Sequence, residues 1–344
     1  MDKPQVICLT PVKNEAWILE RFLKCASIWA DRIIIADQGS DDGSQEIAQR
    51  FPKVTLIQNQ SGTFNEPDRQ KLLIEAARRF GGPNLLIALD ADEFLTANFT
   101  TSKEWDLILR AIPGTIINFQ WACILPDCKS YYLYPTEFPL GFLDNGAAHE
   151  GLPIHSPRLP LPENSPRISL REIKVMHLST MDFRRFESKV RWYQCWEFLQ
   201  HRWDGKLVDM YRQYHRDFCI PTAATRKLPN EWLEAYGPGV NVTYVPHQEY
   251  YRWDEAMLDL FLKHGTKKFR KISVWDHDWN QMHKLVKGQP APVSLKDPRS
   301  RTERWVHSWL ERTQPFYSHY GPGRSILARA QHRILEKGLR YLGW

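Results

Sequence analysis

Four acidic or small residues directly after an apolar run carry the clearest chemistry in this chain. Asp90-Ala91-Asp92-Glu93 follows Leu85–Leu89 and sets two carboxylates one residue apart at a strand end. Oxygen donors so placed can aim at one hard divalent cation, Mg²⁺ or Mn²⁺, which commonly bridges to phosphate oxygens. The same four residues also read as an acidic turn capping a following helix. A second group, Asp37-Gln38-Gly39-Ser40-Asp41-Asp42-Gly43-Ser44, leaves a run of three isoleucines. Its glycines permit a sharp exit, Asp42 or Ser44 can cap the next helix, and Asp37 and Gln38 can hydrogen-bond a base. A third, Thr10-Pro11-Val12-Lys13-Asn14-Glu15, closes the first apolar run, where Thr10, Asn14 and Glu15 either cap a helix or face a ligand.

All three groups need a scaffold that gathers them, and the first third of the chain supplies its pattern. Gln5–Thr10, Arg32–Ala36, Val54–Gln58 and Leu85–Leu89 read as strands. Between them Glu15–Trp29, Ser44–Phe51 and Pro67–Phe80 read as helices. Alternation of this kind predicts an α/β fold with a doubly wound sheet, helices on both faces, and ligands at the carboxyl ends of the strands. All three groups lie at such ends. Further on, Thr115–Cys123, Ser130–Tyr134 and Ser169–His177 read as strands joined by Pro- and Gly-rich connections. Phe183, Phe186, Val190, Tyr193 and Phe198 mark a long amphipathic helix, and beyond about residue 205 the pattern is mostly helical. The expected organisation is a nucleotide-binding catalytic domain over 1–204 and a helical region over 205–344.

Together the three groups resemble glycosyltransferase family 2, on a GT-A fold: a Rossmann-like mixed sheet. The resemblance spans about residues 4–200 and is strongest over 4–95. Its carriers are Thr10–Glu15, Ile33–Ser44 with Asp37 and Asp42, Asp68-Arg69-Gln70, and Leu89–Glu93. It implies an inverting transfer from a nucleotide-diphosphate sugar, usually UDP- or GDP-linked and here a UDP-sugar first, with Mg²⁺ or Mn²⁺. Residue by residue it places Thr10 and Asp37 at the uridine half of the donor and Arg69 at the base or phosphates. Asp90 falls at the ribose or sugar, and Asp92 on the metal. Many relatives have two adjacent Asp where this chain has Asp37-Gln38, so an amide faces the base edge here.

Ala147-Ala148-His149-Glu150, Val175-Met176-His177 and Glu187–Tyr193 resemble a subgroup, the lipopolysaccharide-core β-glucosyltransferases. An inverting transfer needs a base for the acceptor hydroxyl, and Glu150 is the candidate, with His149 beside it to orient or bind and Asp144 as the next carboxylate. His177 then completes the metal shell or touches the diphosphate, and Lys189 neutralises the leaving phosphate. Structural alternatives stand beside these: His177 as a satisfied strand-end histidine, Lys189 as a solvated helix residue. Two rival functions remain, a nucleotidyltransferase on a related α/β fold and a non-catalytic sugar-binding protein. The first usually shows a Gly-rich, basic loop after its first strand, and Thr10–Glu15 is neither; loss of the Asp-x-Asp would favour the second, and that motif is intact.

Composition narrows the classes. With 344 residues, 42% hydrophobic and 25% charged, the chain can build a sizeable core. A net charge of +6, evenly spread, argues against a nucleic-acid partner. Six cysteines form no Cys-x-x-Cys pair; Cys8 sits in an apolar run as a small buried hydrophobe. His277 and His283, with Asp276 and Asp278, match no metal spacing and read as a solvated, Trp-anchored loop. Neither a leader pattern nor an apolar run of spanning length is evident, so a cytoplasmic protein is expected. Arg324–Trp344 is a basic amphipathic helix, with Ile326, Leu327, Ala330, Ile334, Leu335, Leu339 and Leu342 as its apolar set. It either packs onto the domain or rests on the inner, anionic face of a membrane. Acceptor identity stays open among glycan, lipid-linked sugar, lipopolysaccharide and protein.

Overall fold

The computed structural model describes residues 3–59, 65–218, 220, 224–237, 247–317 and 326–344, without the side chains of 326–329 and 331. These fall into two compact units, one of residues 1–181 with 226–246 and one of 182–225 with 247–344. Arg324, where the expected basic helix begins, and Cys219, one of the six cysteines, lie outside the described residues.

In the first unit, β1 (Gln5–Val12), β2 (Arg32–Asp37), β3 (Val54–Gln58) and β4 (Asn84–Ala88) are parallel, in spatial order β3-β2-β1-β4. Their consecutive apolar residues follow from burial on both faces, which alternate along each strand. Val6, Cys8, Ile33, Ile35, Leu85 and Ile87 face α1 (Ala16–Trp29), whose Ile18, Leu19, Phe22, Leu23, Cys25, Ala26 and Trp29 are buried. Ile7, Leu9, Ile34, Ala36, Leu86 and Ala88 pack instead with Leu73, Ile74 and Ala77 of α3 (Glu66–Arg78). Each Val, Leu, Ile or Phe side chain among them contributes roughly 1.5–3 kcal/mol on burial. The helix α2 (Ser44–Gln49) lies between β2 and β3 in the chain.

The sheet then turns antiparallel. Its order continues β4-β7-β6-β9-β5, with β5 (Glu93–Leu95), β6 (Ile116–Ile124), β7 (Ser130–Leu143) and β9 (Val175–His177). β8 (Arg167–Ser169) adds to β6, and β10 (Arg226–Lys227) to β7. This is a mixed α/β sheet; its parallel, doubly wound part is what the sequence pattern predicts, and the mixed sheet as a whole is what the resemblance implies.

Several boundaries differ from expectation. β7 runs 14 residues, through Pro135 and Pro139, where the sequence reads a short strand and a loop. The β6–β7 register shifts between Ile117 and Asn118, opposite Pro139, and again between Gln120 and Ala122, opposite the stretch holding Pro135. Bulges leave strand N–H groups unpaired, so proline costs nothing there. The expected Ser169–His177 strand is split into β8 and β9. Between them the N–H groups of Arg171, Glu172 and Ile173 all donate to the carboxylate of Glu104, on α4 (Lys103–Leu109), which holds the chain out of the ladder.

The second unit is helical: α5 (Phe183–Leu199), α6 (Leu207–Tyr214), α7 (Arg252–His264), α8 (Trp279–Lys287), α9 (Arg301–Thr313) and α10 (Ile326–Tyr341). Val190, Cys195, Met210, Met257, Leu258, Phe261, Trp279 and Met282 form its main core. The reading of residues 276–283 as a solvated loop is corrected. Asp278 caps α8, accepting from the N–H groups of Asn280 and Gln281. His283 is a buried helix residue whose Nδ1 bonds the Gln289 carbonyl.

Candidate active site

The carboxyl ends of β1, β2 and β4 share one edge of the first unit, because parallel strands with crossover helices end together. At β2 the last residue, Asp37, is fully buried. Its Oδ2 accepts from the N–H groups of Gly39 and Ser40, each at 3.0 Å, and from Gln45 Nε2 at 2.8 Å. Gly39, at φ 68°, makes the turn that brings those donors back. The other oxygen, Oδ1, is buried with no hydrogen-bond partner among the described residues. A buried carboxylate oxygen without a donor is costly, and one at a ligand-binding edge marks where a donor arrives. Arg69, in the first turn of α3, likewise has a buried Nε with no partner among the described residues.

Asn14 and Glu15 tie loops together. Asn14, at φ 54°, donates from Nδ2 to Asp41 Oδ1, accepts the Asp41 N–H at its own Oδ1, and donates its N–H to Ser40 Oγ. Glu15 N–H donates to Ser44 Oγ, and Ala16 N–H to Asp42 Oδ2, so the β2 loop caps α1. Glu15 Oε2 accepts from Trp17 Nε1. Lys13 Nζ donates to the carbonyls of Gln38 and Gly39, which spends its charge on the turn. Thr10 is fully buried, its hydroxyl 3.5 Å from Cys8 Sγ. Burial pushes the Cys8 thiol up to about 12, the Thr10 contact working against it, so Cys8 is neutral packing as expected.

At the end of β4 the acidic run opens a strand. The expectation of a helix-capping turn is overturned: Glu93 begins β5, antiparallel to β9, and pairs in register with His177. Leu178 N–H donates to the Asp92 carbonyl at 2.9 Å, closing that corner. The result brings Asp92, nearly buried, to 3.9 Å from His177 Nε2. Trp121 of β6 lies against the imidazole, ring centroids 4.6 Å apart, and stacks on Phe138 of β7.

A residue that sequence reasoning missed balances this corner. Arg158 Nη2 donates to Asp90 Oδ2 at 2.8 Å and to Glu93 Oε1 at 3.0 Å. Its Nη1 donates to Glu93 Oε2 and to the Ala88 carbonyl. Glu93 is fully buried, and burial raises its carboxyl above the usual range; Arg158 pulls it down while Asp90 pushes it up. Burial opposes the Arg158 charge too, but Asp90 and Glu93 overcome it and hold the guanidinium firmly protonated. Arg158 stands in His155-Ser156-Pro157-Arg158, with no motif around it. The only signal was electrostatic, three carboxylates within four residues calling for a counter-charge.

The His149–Glu150 pair separates. His149 is buried, and its Nε2–H donates to Gln70 Oε1 on α3 at 2.8 Å. Burial lowers its pKa, with Lys71 adding. Glu150 is exposed. Asp144 is held bidentate by Arg78 at 2.9 and 2.7 Å, with Arg78 also on the Ala147 carbonyl, so it is an anchor for the loop. Lys189 belongs to the second unit, on α5, with Nζ 5.8 Å from the Tyr193 ring.

Among the described residues no group of three or more His, Cys, Asp or Glu is arranged to hold a metal alone. Asp92 and His177 still fit Mg²⁺ or Mn²⁺ as a partial shell, since such ions take one or two protein ligands plus phosphate oxygens and water.

No protein-family model and no curated protein matches this chain. Among solved structures it is similar to mannosyl-3-phosphoglycerate synthase from Rubrobacter xylanophilus, at 17% identity and a TM-score of 0.27, over 36% of this chain and 41% of that one. It is also similar to glucosyl-3-phosphoglycerate synthase from Mycobacterium tuberculosis, solved with Mn²⁺, UDP and phosphoglyceric acid, at 15% identity and 0.26, over 34% and 43%. A 4-diphosphocytidyl-2C-methyl-D-erythritol synthase aligns at 14% and 0.28, over 41% and 76%. The matched part thus spans less than half the length of either phosphoglycerate synthase, and likeness at this level assigns no activity to this chain.

Proposed function

We propose that the chain is a metal-dependent, inverting glycosyltransferase of GT-A type. It moves a sugar from a nucleotide-diphosphate donor to a hydroxyl of a glycan, a lipid-linked sugar or lipopolysaccharide. The observation that carries the reading is the unpartnered, buried Asp37 Oδ1 at the same strand edge as the Asp92–His177 corner. One is an acceptor suited to the imino N–H of a pyrimidine; the other is an oxygen–nitrogen pair suited to a cation that binds diphosphate.

In this reading Asp37 and Gln38 receive the base and Arg69 donates to the base or a phosphate. Asp90, fixed by Arg158, meets the ribose or sugar. Asp92 and His177 would hold Mg²⁺ or Mn²⁺, which supplies positive charge beside the departing diphosphate. Glu150 accepts the proton of the attacking hydroxyl. His149, locked on Gln70, positions the segment that carries Glu150.

Titration of the chain with Mn²⁺ and UDP, followed by a screen of nucleotide sugars for transfer or slow hydrolysis, tests the proposal. Tight Mn²⁺ binding only when UDP is present, together with release of UDP from one donor, is the expected result. UDP binding without any metal effect refutes the Asp92–His177 assignment, and release of pyrophosphate from a nucleoside triphosphate favours the nucleotidyltransferase instead.

A further inference from the structure

The last helix, α10, divides its apolar residues between two faces. Leu335 and Leu339, with Trp344 beyond the helix end, pack against Val208 and Tyr211 of α6 and Val306 and Leu310 of α9. Glu336, buried beside them, pairs with Arg212 at 3.3 Å, and Arg340 reaches Asp209 at 2.7 Å. This face is a docked one, as an amphipathic helix in the second unit requires. The apolar set expected on one face is nonetheless not all there. Ile334 is 80% exposed, Tyr341 94% and Leu342 71%.

These exposed residues are ordered. Ala330, Ile334, Gly338 and Tyr341 are all exposed, and steps of four, four and three keep them on one stripe at about 100° per residue. Leu335 and Leu339 lie further round the helix, roughly 100–150° from the centre of the stripe. Arg333 and Lys337, also exposed, each precede a stripe residue by one position and form a row along one side of it. The helix thus carries a docked face, a basic row and a free apolar stripe. Among the described residues no helix is long and apolar enough to cross a membrane.

We infer that this outer stripe of α10 is a docking surface for an anionic lipid bilayer, on which the helix lies parallel to the plane. Ile334 enters the acyl boundary, Tyr341 sits at the headgroup level where its ring and hydroxyl are both satisfied, and Arg333 and Lys337 meet lipid phosphates. Charge decides the occupant. A second copy packed antiparallel on the same stripe brings two basic rows together, whereas an anionic surface complements them. This is independent of the transfer reaction.

Flotation of the full chain with vesicles tests it. Vesicles of phosphatidylcholine with phosphatidylglycerol should carry the protein, and vesicles of phosphatidylcholine alone should not. Raising the salt concentration should release it, since the basic row acts through screened charge. Ile334→Asp with Tyr341→Asp, and separately Arg333→Glu with Lys337→Glu, should each weaken binding at least about tenfold while the thermal melt stays unchanged, all four side chains being exposed. Equal binding to both vesicle types, no binding to either, or full binding by both double variants overturns the proposal. So does a wild-type dimer in sedimentation that Ile334→Asp dissociates, because the stripe is then covered by a second copy.

Discussion

Removing the guanidinium of Arg158 strands a carboxylate that has no access to water. Glu93 is fully buried, and both of its oxygens are bonded to Arg158. Arg158→Met keeps most of the apolar stem and leaves Glu93 with the Asp90 N–H as a donor, at 3.0 Å. Breaking one side of a buried pair costs about 3–5 kcal/mol. That surviving donor, and the 19% exposure of the Arg158 side chain, place the cost near the lower end, about 3 kcal/mol. Glu93 can escape by taking up a proton. Its folded-state pKa is already raised by burial and rises further without Arg158, so the folded variant holds the proton more tightly than its unfolded chain. Stability of the variant therefore falls as pH climbs through that raised value, and its deficit against wild type is smaller near about pH 5 than near about pH 8. Urea denaturation followed by circular dichroism across that range measures both. The double variant Arg158→Met with Glu93→Gln removes both charges and should lie within about 1 kcal/mol of wild type, a recovery of about 2 kcal/mol over Arg158→Met alone. A deficit under about 1 kcal/mol at every pH, or one that does not change with pH, refutes the argument.

Three further outcomes are expected. Asp92→Asn should weaken Mn²⁺ binding in the presence of UDP by more than about tenfold, read by electron paramagnetic resonance, with an unchanged circular dichroism spectrum; unchanged affinity removes Asp92 from the metal. Glu150→Gln should lower kcat by about 10²–10⁴ with donor affinity intact, and a near wild-type rate places the base elsewhere. His149→Ala should cost about 1–3 kcal/mol in urea, because Gln70 Oε1 loses its buried donor. In wild type the His149 pKa is lowered, so its contribution is present above the unfolded histidine value near about 6.5 and lost as pH falls below it; His149→Ala should flatten that acid limb.

The parallel half of the sheet was legible because its signal is local. Ile33–Ala36 and Leu85–Leu89 are apolar at every position, which only a strand covered on both faces tolerates at that length. The antiparallel half was not, for a physical reason visible in β7. Proline marks a strand break only where its missing N–H has a ladder partner, and the bulges that excuse Pro135 and Pro139 depend on register with β6, a non-local fact. β5 was hidden similarly. Three residues have no period to read, and Glu93–Leu95 becomes a strand only because β9 returns beside it.

The candidate site follows the same division. Asp37, Asp90 and Asp92 could be chosen from sequence because strand ends fix where their side chains emerge. What those carboxylates require could not be read locally, since the balancing groups come from far along the chain. Arg158 is 65 residues from Glu93, Gln70 is 79 from His149, and Arg78 is 66 from Asp144. Each of these partners removes a charge or a polar atom from the roster of groups a substrate could use. Asp144, the reserve base, has its carboxylate held bidentate by Arg78. Asp37 Oδ1 stands out on the same ground, since the bonds that satisfy Oδ2 leave it buried and still unpaid by any donor among the described residues. A ligand that brings an N–H to that oxygen should gain affinity from it, and Asp37→Asn, which offers the same shape with weaker acceptance, separates such a ligand from one that merely fills the edge.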